Sequence, residues 1–120
     1  MGNDVEEIVV AWLNTVLGTG WVASGNKPKT TPTQYVLVDR TGGPREYMVL
    51  DRAVILIEFY HKTSRTTAKN KANEIADRIV ELNNYAHNIS GAKVNSVTHL
   101  PDLLGQYERY QIYCDINCRR

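Results

Sequence analysis

Residues 52–61 read Arg-Ala-Val-Ile-Leu-Ile-Glu-Phe-Tyr-His, the longest run of β-branched, aliphatic and aromatic residues in the chain. Such a run predicts a central β-strand. At a period of two, Ala53, Ile55, Ile57 and Phe59 share one face, and Val54, Leu56, Glu58 and Tyr60 share the other. The first face is wholly apolar while the second ends in polar groups, so at least one side of the sheet must be covered. An amphipathic helical pattern follows at once and is placed to cover it.

That pattern has Thr63 or Ser64 as N-cap and Ala68, Ala72, Ile75, Ala76, Ile79, Val80 and Leu82 along one face, reaching residue 83 or 84. The alanines allow close approach to a sheet, and the larger residues fill the deeper core. Lys69, Lys71, Asn73, Asp77, Arg78 and Glu81 form a solvated opposite face. A second helix is predicted at residues 4–17, where Val5, Ile8, Val9, Trp12, Leu13 and Val16 recur at spacings of three and four. Asn3 with Glu6 can cap its start, and Gly18 can stop it. Gly18-Thr19-Gly20 is a break, since it ends a helix and lacks the Lys-Ser/Thr of a phosphate loop.

Residues 21–24 are compatible with a short strand, 25–33 have the composition of an exposed loop, and 34–40 read as a strand. Residues 41–46, Thr-Gly-Gly-Pro-Arg-Glu, are too long for a tight hairpin and lead into apolar residues 47–50. Together they predict a projecting hairpin arm that returns through Leu50, Asp51 and Arg52. Further on, residues 84–91 read as a polar turn and 93–99 as a short strand. Residues 100–105 read as a loop that Pro101 keeps from regular pairing. The last strand, 108–118, alternates Tyr110, Ile112, Cys114, Ile116 and Cys118 with Arg109, Gln111, Tyr113, Asp115 and Asn117. These elements predict one domain over residues 1–120 of the α+β class. Its layers are a largely antiparallel sheet of four to five strands and two helices packed on one face.

With 14 basic and 13 acidic residues the formal net charge is +1, which gives no broad field to attract nucleic acid, anionic lipid or acidic substrates. No apolar run approaches the roughly 18 residues that span a bilayer, and the acidic N-terminus is unlike a signal peptide. A soluble, cytoplasmic chain with no membrane partner is expected. Cys114 and Cys118, four residues apart on one strand, would have Cα atoms about 13 Å apart, beyond the roughly 7 Å a disulfide spans. Both read as small buried residues.

His61, His87 and His99 lack a second ligand at metal-binding spacing and read as surface or loop residues. No nucleophile elbow, zinc-protease helix or dinucleotide-binding glycine pattern occurs, so no catalytic residue, cofactor or metal is expected. The polar outer sheet face instead suits another protein copy. Glu58, Arg109 and Asp115 offer complementary charges there, beside Tyr60 and Tyr113, which are expected to be exposed.

The chain as a whole resembles the tail terminator, or tail-completion, proteins of long-tailed bacteriophages. The residues carrying the resemblance are the N-terminal amphipathic helix, Val38-Asp39-Arg40 followed by Thr41-Gly42-Gly43, and Asp51-Arg52-Ala53 leading into an apolar strand. The alanine-rich helix, Leu100-Pro101-Asp102 and Arg109-Tyr110-Gln111 complete it. Where many members carry Trp near the end of the central strand, this chain has Phe59-Tyr60.

The resemblance implies a virion subunit, made in the host cytoplasm, that assembles into a homo-oligomeric ring, typically a hexamer. That ring caps the head-proximal end of the tail tube, stops polymerisation of the tube protein and presents a surface to the head–tail connector. Double-stranded DNA would meet it only in passage through the lumen. A heterologous, closing contact makes such a ring from one small fold. On this reading the arm, with Gly42, Gly43 and Arg45, reaches a neighbour or the tube. Asp39, Arg40, Asp51 and Arg52 at its base are expected to form ion pairs within the subunit or across the ring. The alternatives are a neck or head-closure connector, and a ferredoxin-like small-molecule-binding or enzymatic domain, which would need a pocket with convergent polar groups.

Overall fold

The computed structural model describes residues 5–26, 32–42, 50–85, 89–101 and 107–119. The chain opens with helix α1 (Val5–Val16), followed by strands β1 (Ala23–Ser24), β2 (Gln34–Gly42) and β3 (Leu50–His61). Helix α2 (Arg65–Arg78), a 3-10 turn (Ile79–Glu81) and helix α3 (Leu82–Tyr85) come next, then β4 (Ile89–Pro101) and β5 (Glu108–Arg119). All five strands join one sheet in the order β1-β2-β3-β5-β4, parallel only between β1 and β2. This is the expected α+β architecture.

The alternation in β3 and β5 sets the layers. Ala53, Ile55, Ile57 and Phe59 join Ile112, Cys114 and Ile116 on one face, all fully buried in a single core with Val36, Val38 and Tyr110. Onto that face pack Val9, Trp12 and Leu13 from α1 and Ala68, Ala72, Ile75, Ile79 and Leu82 from the later helical segment. Burying each large aliphatic side chain contributes about 1.5–3 kcal/mol, so this layer outweighs any surface pair in holding the helices down. The strands β3 and β5 pair along their whole length without a bulge. No described helix is long and apolar enough to cross a membrane.

Gly18 ends α1 with φ +85°, a conformation other residues rarely adopt, as its place in the sequence predicts. The cap expected of Asn3 and the arm over residues 43–49 lie outside the described residues. The strand β4 begins at Ile89, inside the expected polar turn, and runs through Pro101, which is opposite Glu108. Proline is tolerated because β4 is an edge strand, where a missing N–H leaves no ladder bond unmade on the open side. Val80 is exposed, contrary to its place in the apolar stripe. It stands about 100° past Ile79 around a helix axis, and the 3-10 turn widens that to about 120°.

His61, expected at the surface, is buried at the corner between β3 and α2. Its Nδ1 accepts from the backbone N–H of Thr63 at 3.2 Å and of Ser64 at 2.9 Å. Ser64 then caps α2, its hydroxyl accepting from Thr67 N–H at 3.1 Å. Two donors aimed at Nδ1 place the ring proton on Nε2. His61→Ala leaves both N–H groups without that acceptor and is expected to cost about 1–3 kcal/mol in chemical denaturation. His61→Asn carries an acceptor oxygen in nearly the same position and should recover most of the loss. Equal losses in the two variants would show that ring packing, not the acceptor, holds the corner.

Candidate functional site

The opposite sheet face bears Tyr35, Leu37 and Asp39 from β2 beside Val54, Leu56, Glu58 and Tyr60 from β3. Arg109, Gln111, Tyr113 and Asp115 from β5 complete it, with β4 outside them. No described helical residue packs on it; its buried cluster consists of Tyr35, Tyr60 and Tyr107 with Leu37 against them. The residues expected to form an interface therefore lie on one continuous surface only in part.

In the first row of this face Tyr35 stacks on Tyr60 with ring centroids 4.6 Å apart and planes 9° from parallel. Tyr107 meets both edge-on, at 5.3 and 5.9 Å, and its hydroxyl donates to the Pro32 carbonyl at 2.8 Å. Tyr60 is thus buried, which corrects the expectation that it is exposed. Burial pushes its phenol above the ordinary value of 10.0; a hydrogen bond with Arg109 opposes the rise and the nearby Glu58 charge adds to it.

In the second row Glu58 Oε2 accepts from Arg109 Nη1 and from Gln111 Nε2, each at 3.1 Å. The Arg109 and Glu58 side chains are 19% and 15% exposed, so this pair is partly shielded and its members bind each other within the subunit. Their charges are therefore less available to a neighbour than the sequence suggests. Asp115 is not part of this network. It stands opposite Val54 and Lys93, about 13 Å along the strand from the Glu58 row. Tyr113 is 36% exposed, as expected, and stands between Leu56 and Ser96.

Asp39 is exposed on this outer face, whereas Arg40, half-buried, falls on the helix-side face by strand alternation. Asp51 and Arg52 are placed by backbone alone, paired with Cys118 and Asn117. Arg40 is opposite Ile55, about 10 Å along β3 from Arg52. A register shift falls between Arg40 and Gly42, which ends β2 opposite Val54. Gly43 and Arg45 lie outside the described residues.

The sequence reading missed Tyr35, Tyr107 and Gln111. The antiparallel register sets Tyr35 opposite Tyr60 and Gln111 opposite Glu58, and Tyr107 meets the two tyrosines from just before β5. An open cleft of about 370 Å³ is lined by Asn83, Gly91, Ala92, Lys93, Asp115 and Asn117. Its polar lining is unlike the mostly apolar walls of a small-molecule site. Among the described residues no group of three or more His, Cys, Asp or Glu side chains is placed to hold a metal.

No family model matches the sequence, and no curated protein matches it. The fold does have a solved counterpart. A chain from the virion of a native gene transfer agent particle matches with a TM-score of 0.63 and 14% identity. The match covers 92% of this chain and 86% of that one. At this identity the likeness is one of fold, and it extends over nearly the whole of both chains.

Proposed function

We propose that the protein is a structural virion subunit of a phage-like particle, with no catalytic role, and that within the particle it is the tail terminator. The observation that carries the reading is the near end-to-end fold correspondence with a virion chain. The sequence resemblance to tail terminators gives the finer assignment. Residues 1–120 then serve as one domain and one ring subunit, six to a ring, with the tail tube protein on one side and the head–tail connector on the other. A near-neutral charge suits a lumen that lets DNA pass without holding it.

Negative-stain imaging of the purified protein, alone and with tail tubes, tests this. Rings seated at one tube end, with tube growth arrested, are the expected result. Seating on isolated heads rather than tails would assign the chain to the neck instead, and a protein that neither forms rings nor alters tube growth would overturn both readings. Asp51→Lys and Arg52→Glu, made singly, should reduce ring assembly in native mass spectrometry while leaving the monomer folded. Unchanged assembly would remove these two residues from the interface.

A further inference from the structure

The two ends of the sheet finish differently. At the β1 end the Asn14 side chain takes both backbone groups of Ala23, Oδ1 accepting from its N–H at 2.9 Å and Nδ2 donating to its C=O at 3.1 Å. A strand arriving there would have to displace it. At the other end lies β4, at 13 residues the longest strand. Among the described residues nothing pairs with its outer side, and residues 94–100 make no hydrogen bond outside their ladder with β5.

Within β4 one stretch is both regular and uncharged. A register shift falls between Val94 and Ser96 and Pro101 closes the far end, whereas Ser96, Val97, Thr98, His99 and Leu100 pair one-to-one with Tyr113 through Arg109. None of the five is Lys, Arg, Asp, Glu or Pro, the residues that guard an edge in natural sheets. His99 keeps its ring against Tyr110 of its own subunit, with centroids 4.9 Å apart. Apolar surface flanks the stretch as well. Val97 is 37% exposed, and the 3-10 turn that packs on β4 leaves Val80 57% exposed. Such an edge is a template for another strand.

The stretch fits itself. A second copy turned by 180° about an axis normal to the sheet brings its β4 in antiparallel, the pairing used between β2, β3, β5 and β4. That rotation sets residues near their own counterparts, so a charged strand would repel its copy, and this one carries no such charge. Centred on Thr98, the middle of the regular stretch, it puts Thr98 opposite Thr98, Val97 opposite His99 and Ser96 opposite Leu100. Side-chain faces agree, because the paired residues differ by an even number of positions. The two Val97–His99 pairs lie on the helix-covered face, and the threonine pair is of a kind that favours antiparallel pairing. We infer that residues 96–100 of β4 pair with the same residues of a second copy across a two-fold axis at Thr98, joining two sheets into one. A two-fold contact is complete at two copies. The inference therefore goes beyond the ring reading and does not rest on it, and ring growth would use other surfaces.

Charge placed on the axis tests this contact. Thr98 is exposed, so Thr98→Lys and Thr98→Glu should each leave the melting temperature of the monomer unchanged. Either variant alone sets like charges against each other. Its dimer dissociation constant in sedimentation equilibrium, measured without tubes, should rise about tenfold or more over the wild type. An equimolar mixture of the two should regain the wild-type affinity as a mixed dimer, a recovery specific to a contact in which residue 98 meets itself. A wild type that forms no dimer, variants that dimerise as it does, or a mixture that fails to recover overturns the inference. Thr98→Cys gives an independent reading. Residues directly opposite have Cα atoms about 4.5–5.5 Å apart, within disulfide reach, so oxidation should link the copies. Lys69→Cys, exposed on α2, should stay unlinked under the same conditions. If the charged variants fail to fold, the linking result decides alone. Failure of the dimer leaves the ring reading standing, and failure of rings at tube ends leaves the dimer.

Discussion

Phe59→Ala is expected to cost about 3–5 kcal/mol, a large share of the roughly 5–15 kcal/mol that holds a domain of this size folded. Phe59 is fully buried on the helix-side face of β3, with Val36 and Tyr110 opposite it on the two flanking strands. Trp21 packs against it edge-on, with ring centroids 6.3 Å apart and planes at 68°. The alanine variant loses the transfer free energy of the ring, leaves a cavity in the middle of the sheet, and strips Trp21 of an aromatic partner. The denaturation midpoint should fall with no change in slope, because the same surface is exposed on unfolding. Phe59→Leu keeps much of the volume and should lose distinctly less. A midpoint unmoved by alanine would contradict the burial of this ring.

The same face was the most legible part of the sequence. Alternation in β3 and β5 assigns inner and outer residues without knowledge of strand order, because period two is a local property of an extended backbone. The three-and-four spacing in α1 is local in the same way. What the sequence left unreadable depends on distant residues meeting. Tyr60 looks exposed when only its own strand is considered, and it becomes buried because Tyr35 and Tyr107 arrive from two other segments. His61 looks like a strand end until the turn brings two backbone donors to its ring.

The candidate interface divides along the same line. Alternation correctly placed Glu58, Arg109, Tyr113 and Asp115 on one face, but it could not say which charges are already spent within the subunit. The register joins Glu58 to Arg109 and Gln111 and leaves Asp115 a separate position beside Lys93. Edges are harder still to read, because strand order is a property of the whole fold. Nothing in residues 94–100 marks them as the end of a sheet, which only the order of the strands reveals.

Raising the pH should destabilise the protein through Cys114, by up to about 4 kcal/mol for this group alone. Cys114 is fully buried between β3 and β4, with Sγ donating to the Ile55 carbonyl at 3.6 Å. Burial, with a smaller contribution from the Asp115 charge, pushes its thiol from an ordinary 9.0 up to about 12. Above pH 9 the unfolded chain releases this proton first and the folded chain retains it, so the folded state binds more protons and loses stability as the pH rises. The loss approaches about 1.4 kcal/mol per pH unit within that window and is complete once the folded-state value is passed. The raised phenol of Tyr60 acts in the same direction above its ordinary 10.0.

Cys114→Ala separates the thiol from the other groups that titrate in this range. At pH 8 the variant should be the less stable protein, because it lacks the sulfur and its contact with Ile55. As the pH rises the wild type should lose stability faster, so the two curves of unfolding free energy against pH converge. Parallel curves would show that the thiol ionises equally well in the folded chain. The same burial makes Cys114 unreactive in the folded state, since the thiolate is the nucleophile. Its alkylation at pH 8 should therefore proceed only as fast as the strands around it open, and destabilising the core with Phe59→Ala should accelerate it.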